Sequence, residues 1–202
     1  MKKILLLALL TPAISVAQKL EFGINGGMTA HTAPSHSYGK VHNDIGYYAG
    51  ARAAFSFLGF QAGIGVDAIK MTGTREQILG PTMELNIADP AITPHLFINK
   101  KISLPKSYLY FGLSAGYTFV NYKSNKAFLD TRGHIADIDS KGSGFMGGLQ
   151  LGYVFLLTSH LGINAEAAAR YYNYSPHDPA TSTYNKYRLF AFPVSVGVRY
   201  RL

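Results

Sequence analysis

Histidine side chains are concentrated in long polar segments of the chain, where they could bind a metal ion or a haem. Five of the seven histidines lie there, namely His31, His36, His42, His134 and His177. Neutral imidazole is a common metal ligand, and several aspartates are nearby. No two of these histidines have the i, i+4 spacing that would place both on one face of a helix. We therefore expect solvated histidines, and we predict no metal and no cofactor.

The same polar segments contain the residue types of a hydrolytic triad. The candidates are Ser35, His36, Ser37, Asp44, His134 and His177. A triad needs a nucleophile held by a base and an orienting acid, and its known local motifs extend over several residues. None of those motifs is present, so we predict no catalytic residue and no enzyme.

Segments that alternate apolar and polar residues must position these side chains. Period-2 patterns predict strands at 20–29, 47–57, 60–71, 88–100, 108–121, 144–156, 161–172 and 187–202. Most have about ten residues, which suits a tilted membrane crossing. Pro90 and Pro94 interrupt the fourth strand, so its facing stays open. Short connections at 58–59, 101–107 and 157–160 alternate with long polar ones at 30–46, 72–87, 122–143 and 173–186.

The size of the side chains indicates which face of each strand points inward. In 187–202 one face carries Phe190, Phe192 and Val194, and the other carries smaller or polar residues. A face in contact with water would be rich in Lys and Glu. A narrow barrel lumen instead needs small residues and a few polar ones that satisfy one another. The apolar faces are therefore predicted to face lipid, and the polar faces the lumen.

Charged residues on the polar faces are predicted to form a network inside the lumen. They are Glu21, Arg52, Asp67, Glu166, Arg170, Arg199 and Arg201. A two-residue turn at 58–59 would make Arg52 and Asp67 diagonal neighbours. Glu21 begins the first strand and the two terminal arginines end the last, so we expect them to meet where the barrel closes. The network is predicted to plug the lumen with buried ion pairs, and a gated ion path is the alternative.

Aromatic and basic residues near the strand ends are predicted to contact the membrane surface. The rings are those of Tyr47, Phe57, Phe60, Tyr108, Tyr110, Tyr122, Tyr171, Tyr172, Tyr174, Tyr187 and Tyr200. Rings with one polar and one apolar end favour the interface. The cations Lys70, Arg75, Lys123, Lys126, Lys141, Lys186 and Arg188 lie near the predicted outer rim. They could bind lipopolysaccharide phosphates or keep the loops soluble.

The N-terminus predicts export. Lys2 and Lys3 precede an apolar run at 4–10, and Ser15-Val16-Ala17 forms a small-x-small site. This pattern is typical of a signal peptide, so we predict a signal at 1–17, cleavage after Ala17 and one domain at 18–202. The chain has no cysteine, so disulfides do not stabilise it. The formal net charge of +8 is scattered, which argues against nucleic acid and fits anionic lipid headgroups.

The chain ends in the pattern Ser195-x-Gly197-x-x-Tyr200-x-Leu202. With this pattern, the export signal, the eight strands and the alternating connections, the chain resembles small bacterial outer-membrane β-barrel proteins. The family is the OmpA/OmpX-like, PorT-type outer membrane protein beta-barrel class within the porin family. The resemblance implies an all-β, eight-stranded antiparallel transmembrane up-and-down β-barrel. It also implies that the barrel-assembly machinery recognises the terminal pattern, in which Leu202 replaces the commoner terminal Phe.

These observations predict a monomeric protein of the bacterial outer membrane with a structural or binding role. Its partners would be outer-membrane lipid and lipopolysaccharide, the barrel-assembly machinery, and an extracellular ligand held by the loops at 30–46, 72–87, 122–143 and 173–186. The first alternative function is a narrow, low-conductance porin-like channel. The second is a lipid hydrolase acting at the outer rim.

Overall fold

The computed structural model describes residues 19–32, 40–43, 45–70, 72–76, 83–86, 90–129, 135–178, 183–184 and 187–202. The predicted signal peptide, its cleavage site, and the candidate residues Ser35, His36, Ser37, Asp44 and His134 lie outside these residues. So does Lys186. Within the described residues, no helix is long and apolar enough to cross a membrane.

All regular structure in the described residues is β. The strands are β1 Lys19–His31, β2 Lys40–Asn43, β3 Gly46–Phe57, β4 Phe60–Lys70, β5 Thr72–Glu76, β6 Met83–Asn86, β7 Ala91–Leu104, β8 Ser107–Leu129, β9 Ile135–Leu156, β10 Leu161–Asp178, β11 Thr183–Tyr184 and β12 Tyr187–Arg201. Each of the eight period-2 segments of the sequence corresponds to one of β1, β3, β4, β7, β8, β9, β10 and β12.

Eight of these strands form a closed antiparallel barrel. The order around the ring is β1, β3, β4, β7, β8, β9, β10 and β12, and each strand pairs with the next. β12 then pairs with β1 from Glu21↔Arg201 to His31↔Ala191, which closes the ring. Closure satisfies the backbone hydrogen bonds of the first and last strands and leaves no edge strand in the ring. The predicted eight-stranded up-and-down barrel is confirmed.

The inner end of the barrel, as we name it here, carries the short turns. β3 and β4 are joined by Leu58 and Gly59, whose φ angles are 45° and 77°. Two consecutive positive φ angles define the type I′ turn that matches the twist of a two-residue hairpin. The register that follows places Arg52 opposite Gly65 and Gly50 opposite Asp67, as the two-residue turn predicts.

The opposite, outer end contains more β-structure than the sequence predicts. β8 and β9 extend past the barrel and pair from Asn121↔Lys141 to Leu129↔Ile135, with a register shift between Ser124 and Phe128. The prediction of a loop over the whole of 122–143 is therefore wrong. β10 continues to Asp178 and pairs with β11, and β2, β5 and β6 form a separate small sheet. An alternating pattern needs one buried face, so a polar hairpin that extends beyond the barrel gives no such signal.

An apolar band surrounds the barrel. On β12 it runs from Phe190 to Tyr200, with Val196 66% exposed. At about 3.3 Å per residue this stretch covers about 33 Å along the strand, or about 25 Å along the axis for a tilt of about 40°. That height matches the apolar band of an outer-membrane barrel. In water, so large an exposed apolar surface would cause aggregation.

The facing of β7, which the sequence leaves open, is regular. Thr93, His95 and Asn99 are buried in the lumen, and Pro94 lies on the lipid face. The pairing of β7 with β8 is interrupted between Ile92↔Phe119 and His95↔Gly116. Proline has no N–H to donate, so the interruption falls at this residue without changing the register.

Candidate functional site: the lumen of the barrel

Glycines on the inner wall make room for long side chains in the lumen. A Cβ added to Gly23 would lie 2.6 Å from Nη1 of Arg199, and a Cβ added to Gly65 would lie 2.6 Å from Nε2 of His95. An eight-stranded barrel is only wide enough for its side chains to fill. The abundance of glycine is therefore what lets arginine and tyrosine side chains cross the lumen.

The outer cluster of polar side chains is centred on Asp67. Arg170 forms a close ion pair with Oδ2 of Asp67, and the hydroxyl of Tyr48 donates to Oδ1 at 2.8 Å. Nδ1 of His95 lies 3.3 Å from Oδ2 of Asp67 and 3.2 Å from the carbonyl oxygen of Thr93. Both neighbours are acceptors, so Nδ1 carries the imidazole proton.

The middle cluster is centred on Glu166. Nη2 of Arg52 donates to Oε1 of Glu166 at 2.6 Å, and the hydroxyl of Tyr110 donates to Oε2. Nη2 of Arg199 lies 3.7 Å from Oε2 and donates to the oxygen of Tyr110 at 3.1 Å. The carboxylate of Glu166 thus interacts with two guanidinium groups.

The inner cluster is centred on Glu21. The hydroxyl of Tyr108 donates to Oε1 at 2.5 Å, and Nε2 of Gln61 donates to the same oxygen at 3.0 Å. Nη2 of Arg201 lies 3.3 Å from Oε2, and Nζ of Lys101 lies 3.9 Å from it. This carboxylate also serves two cations.

A row of amides continues the inner cluster across the lumen. Nδ2 of Asn99 donates to Oε1 of Gln61 at 3.2 Å, and Nε2 of Gln150 donates to Oδ1 of Asn99 at 2.7 Å. Together with Glu21, the row links β1, β4, β7 and β9. It ties distant strands of the wall to one another by side-chain hydrogen bonds.

The structure places all seven predicted lumen charges inside the barrel. Two of the expected ion pairs, however, do not form. Arg52 reaches Glu166 across β1 and β12 and does not pair with Asp67, whose partner is Arg170. Arg201 meets Glu21 as expected, whereas Arg199 turns to Glu166. The strand register predicts neighbours within the sheet only, and in a narrow lumen the opposite wall is equally close.

An apolar layer, which we call the outer septum, lies beyond the outer cluster. It consists of Tyr48, Ile69, Ala91, Val120, Met146, Tyr172, Leu189 and Ala191, each at most 3% exposed. The side chains come from β3, β4, β7, β8, β9, β10 and β12. Ile69 and Tyr172 follow Asp67 and Arg170 by two positions, so the septum is the next lumen layer toward the outer end.

Three tyrosines that the sequence places at the membrane interface lie in the lumen instead. Tyr108, Tyr110 and Tyr172 are 2%, 1% and 0% exposed, so this prediction is wrong for them. The alternation along β8 indicates that Tyr110 faces the lumen, because Tyr110 shares a face with Ser114, whereas Leu109 lies on the opposite face. His95 was missed because the prolines obscured the facing of its strand, and Lys101 because the sequence assigned it to the connection at 101–107, whereas β7 continues to Leu104.

The predicted loop histidines and outer cations are described only in part. His31 is 9% exposed at the end of β1, and its Nδ1 lies 3.4 Å from the carbonyl oxygen of Thr32. The side chains of His42 and His177 lie outside the described residues. Among the side chains that are described, no group of three or more His, Cys, Asp or Glu residues could hold a metal ion.

The outer cations with described side chains are exposed, namely Lys70, Lys141 and Arg188. The side chains of Arg75, Lys123 and Lys126 are not among those described. In the terminal pattern, Ser195 faces the lumen and Tyr200 faces outward. The recognition of that pattern by the assembly machinery remains a prediction.

Comparison with solved structures identifies the architecture. Neisserial surface protein A shares 10% identity, with a TM-score of 0.59 over 91% of this chain and 97% of that one. The outer membrane protein OprG from Pseudomonas aeruginosa shares 15% identity, with a TM-score of 0.52 over 90% and 95%. A major outer membrane protein from Thermus thermophilus shares 14% identity, with a TM-score of 0.51 over 92% and 100%.

At these identities the resemblance concerns the fold alone. Neither a protein-family model nor a curated protein sequence matches the chain. The closed ring of eight antiparallel strands agrees with the fold of the solved structures over nearly the whole chain. The chain therefore has the fold of the small outer-membrane β-barrels.

Proposed function

We propose that the protein is an integral outer-membrane barrel with a closed lumen, whose outer end serves as an interaction surface. Insertion is supported by the apolar band, which would be unstable in water, and by the solved structures that share the fold. The lumen acts as the core of the barrel and does not conduct.

The observation that carries this proposal is the lack of accessible surface on side chains of the outer septum and of the clusters below it. A path as wide as a water molecule would leave accessible surface on the side chains that line it. Arg170, Met146 and Tyr172 have none, and Thr93 and Asn99 have none either. The outer septum and the ion-pair clusters are therefore two barriers in series, one apolar and one polar.

The network stabilises the closed ring because each cluster connects strands that do not pair. Glu166 on β10 binds Arg52 on β3 and Tyr110 on β8. Asp67 on β4 binds Arg170 on β10. Buried charges are tolerated when they are paired and hydrogen-bonded. The charged residues thus favour one cross-lumen arrangement of the wall.

The outer end supports a binding role because it extends well beyond the membrane band. β8 continues from Val120 to Leu129, about 30 Å along the strand at about 3.3 Å per residue. The small sheet of β2, β5 and β6 lies in neighbouring connections. Paired strands present a defined surface, as a binding site requires.

Planar-bilayer recordings test the closed lumen. We expect no single-channel steps from the purified wild type, and none from Arg52→Ala, because the septum stays intact in that variant. Steps from the wild type would contradict the proposal, and steps from Arg52→Ala alone would favour the gated channel. Mobility of unheated and heated samples on a gel verifies that each variant is folded. An altered lipid A profile in a deletion strain would favour the hydrolase.

Cysteine labelling tests the orientation, because the chain contains no cysteine of its own. Lys141→Cys lies at the outer end and Lys106→Cys in an inner turn, and both side chains are exposed. A membrane-impermeant maleimide should label the first in intact cells and the second only after permeabilisation. The reverse pattern would place the long outer segments on the periplasmic side and remove the interaction surface.

A further inference from the structure

One lysine lies on the lipid-facing side of the barrel wall near the inner end. On β7 the side chains of Ile98 and Ile102 point outward, and Lys100 shares their face and is exposed. It pairs with Phe60 on β4 and with Phe111 on β8, and both rings are exposed on the same face. An ammonium group is costly within the apolar part of a bilayer, so the place to which this side chain extends matters.

The side chain of Lys100 extends toward the turn between β3 and β4. Its Nζ lies 4.3 Å from the centroid of the Phe60 ring, and a Cβ added to Gly59 in the turn would lie 3.4 Å from it. Long lysine side chains cover apolar surface with their methylene groups and bring the ammonium to the polar boundary of the membrane. The charge of Lys100 is therefore presented at the level of the turn, at the inner boundary of the apolar band.

The surface around this ammonium group is aromatic on one side and open on the other. Phe57 and Phe60 stack with 6.3 Å between their centroids, and Phe111 flanks Lys100 on the next strand. Gly59 has no side chain that would cover the ammonium from the turn. The arrangement thus has the two parts that hold a phospholipid, an apolar surface for acyl chains and an accessible cation beside it for the phosphate.

The ammonium group of Lys100 has no acceptor within the part of the chain that the structure describes. Its one contact through Nζ is the cation–π interaction with Phe60, and no carboxylate pairs with it. A lysine ammonium carries three N–H donors, and an aromatic face accepts none of them as a phosphate oxygen does. The donors are therefore available to a ligand from the membrane.

The acidic residues of the chain are distributed unequally between the two ends of the barrel. Glu21, Asp67 and Glu166 are buried in the lumen. The others fall in the segments that join or extend the strands at the outer end, at positions 44, 76, 84, 89, 130, 137, 139 and 178. No carboxylate is thus exposed at the inner end among the described residues.

The exposed charges of the inner end are cations instead. Lys106 in the turn between β7 and β8 is exposed, as Lys100 is. Arg201 and Lys101 are 12% and 9% exposed at their side chains at the inner mouth, which is our name for the opening of the lumen at this end. Clustered cations at a membrane boundary attract anionic lipid headgroups.

We propose that Lys100, Phe60 and Phe111 form a binding site for an anionic phospholipid in the leaflet at the inner end. The phosphate accepts hydrogen bonds from the ammonium group of Lys100, and the acyl chains run along the two rings toward the middle of the apolar band. A zwitterionic phospholipid has the same phosphate, but its amine meets cations at this end and no exposed carboxylate. The site rests on the proposed insertion into the membrane and not on any role of the outer end.

Quenching of tryptophan fluorescence by brominated lipids tests the site, because the chain has no tryptophan. Phe60→Trp places a reporter beside Lys100, and Tyr47→Trp places one beside Lys70 at the outer end of the same hairpin. Each variant is folded into phosphatidylcholine vesicles with an equal fraction of brominated phosphatidylglycerol or brominated phosphatidylcholine. At Phe60→Trp we expect about fivefold tighter binding of phosphatidylglycerol, the effect of one cation at an anionic lipid. Tyr47→Trp should report a smaller preference, because the acidic residues lie at its end.

Two further substitutions in the Phe60→Trp background separate this site from the general charge of the protein. Lys100→Gln should reduce the preference to the value at Tyr47→Trp, whereas Lys70→Gln, at the other end of β4, should leave it unchanged. Equal quenching by the two lipids, an unchanged preference in Lys100→Gln, or an equal preference at Tyr47→Trp would overturn the proposal. Absence of quenching by either lipid would contradict membrane insertion itself, and with it the site.

Discussion

Replacing Glu166 by glutamine isolates the contribution of the middle cluster to stability. The substitution keeps the shape of the side chain but leaves Arg52 and Arg199 without a carboxylate in a layer where Glu166 is 4% exposed. Removing one partner of a buried ion pair costs about 3–5 kcal/mol, because the other charge stays buried and uncompensated. We therefore expect Glu166→Gln to lower the free energy of unfolding by about that amount.

The assay is urea unfolding in phospholipid vesicles followed by circular dichroism, since the chain has no tryptophan. Lys141→Gln, on the exposed outer surface, is the control and should change stability by less than about 0.5 kcal/mol. The double variant Glu166→Gln/Arg199→Gln removes one cation together with the carboxylate. It should be more stable than Glu166→Gln by more than about 1 kcal/mol, because residues in one network couple.

Two results would show that the electrostatic reasoning is wrong. A loss below about 1 kcal/mol for Glu166→Gln would mean that water or relaxation compensates the guanidinium groups. Strictly additive effects of the two substitutions would mean that Arg199 and Glu166 do not interact, despite the 3.7 Å between Nη2 and Oε2.

The same unfolding assay checks three other expectations. Val196→Arg should cost about 2–4 kcal/mol if this face contacts lipid at mid-depth, and an unchanged midpoint would contradict the lipid-facing assignment. Met146→Ala should cost about 2–5 kcal/mol through a cavity in the outer septum, and a cost near zero would mean that the layer is not packed. Leu58→Asn should stabilise by up to about 1 kcal/mol, because asparagine tolerates the positive φ better than leucine does, whereas destabilisation would indicate that the exposed leucine makes a contact of its own.

The architecture could be predicted from the sequence because the barrel wall imposes a simple repeating constraint. Every residue between the two ends faces either lipid or lumen, so the pattern alternates and the parity of one residue fixes that of its strand. Turn length sets the register, which is why the pairing of Arg52 with Gly65 was predictable from Leu58 and Gly59. Within the barrel wall, the facing of β7 stayed open because prolines there break the pattern.

The partners inside the lumen could not be predicted in the same way. Arg52 and Glu166 are separated by 114 residues in sequence, and β12 and β1 lie between their strands in the ring. Whether an arginine turns to a diagonal neighbour or crosses the lumen depends on the small residues beneath it, such as Gly23 below Arg199. The outer septum was also missed, because apolar residues on the inner face look like errors in the alternation.

The outer septum and the charged clusters close the barrel in different ways. An apolar layer excludes water without specifying partners, whereas charged clusters specify partners at a cost in desolvation. Because the septum occupies the outer end, water and ions can reach the charges only from the inner mouth, where Arg201 and Lys101 are partly exposed. If the septum were replaced by small polar residues, the clusters would be open to solvent from the outer end as well, and water would weaken the ion pairs.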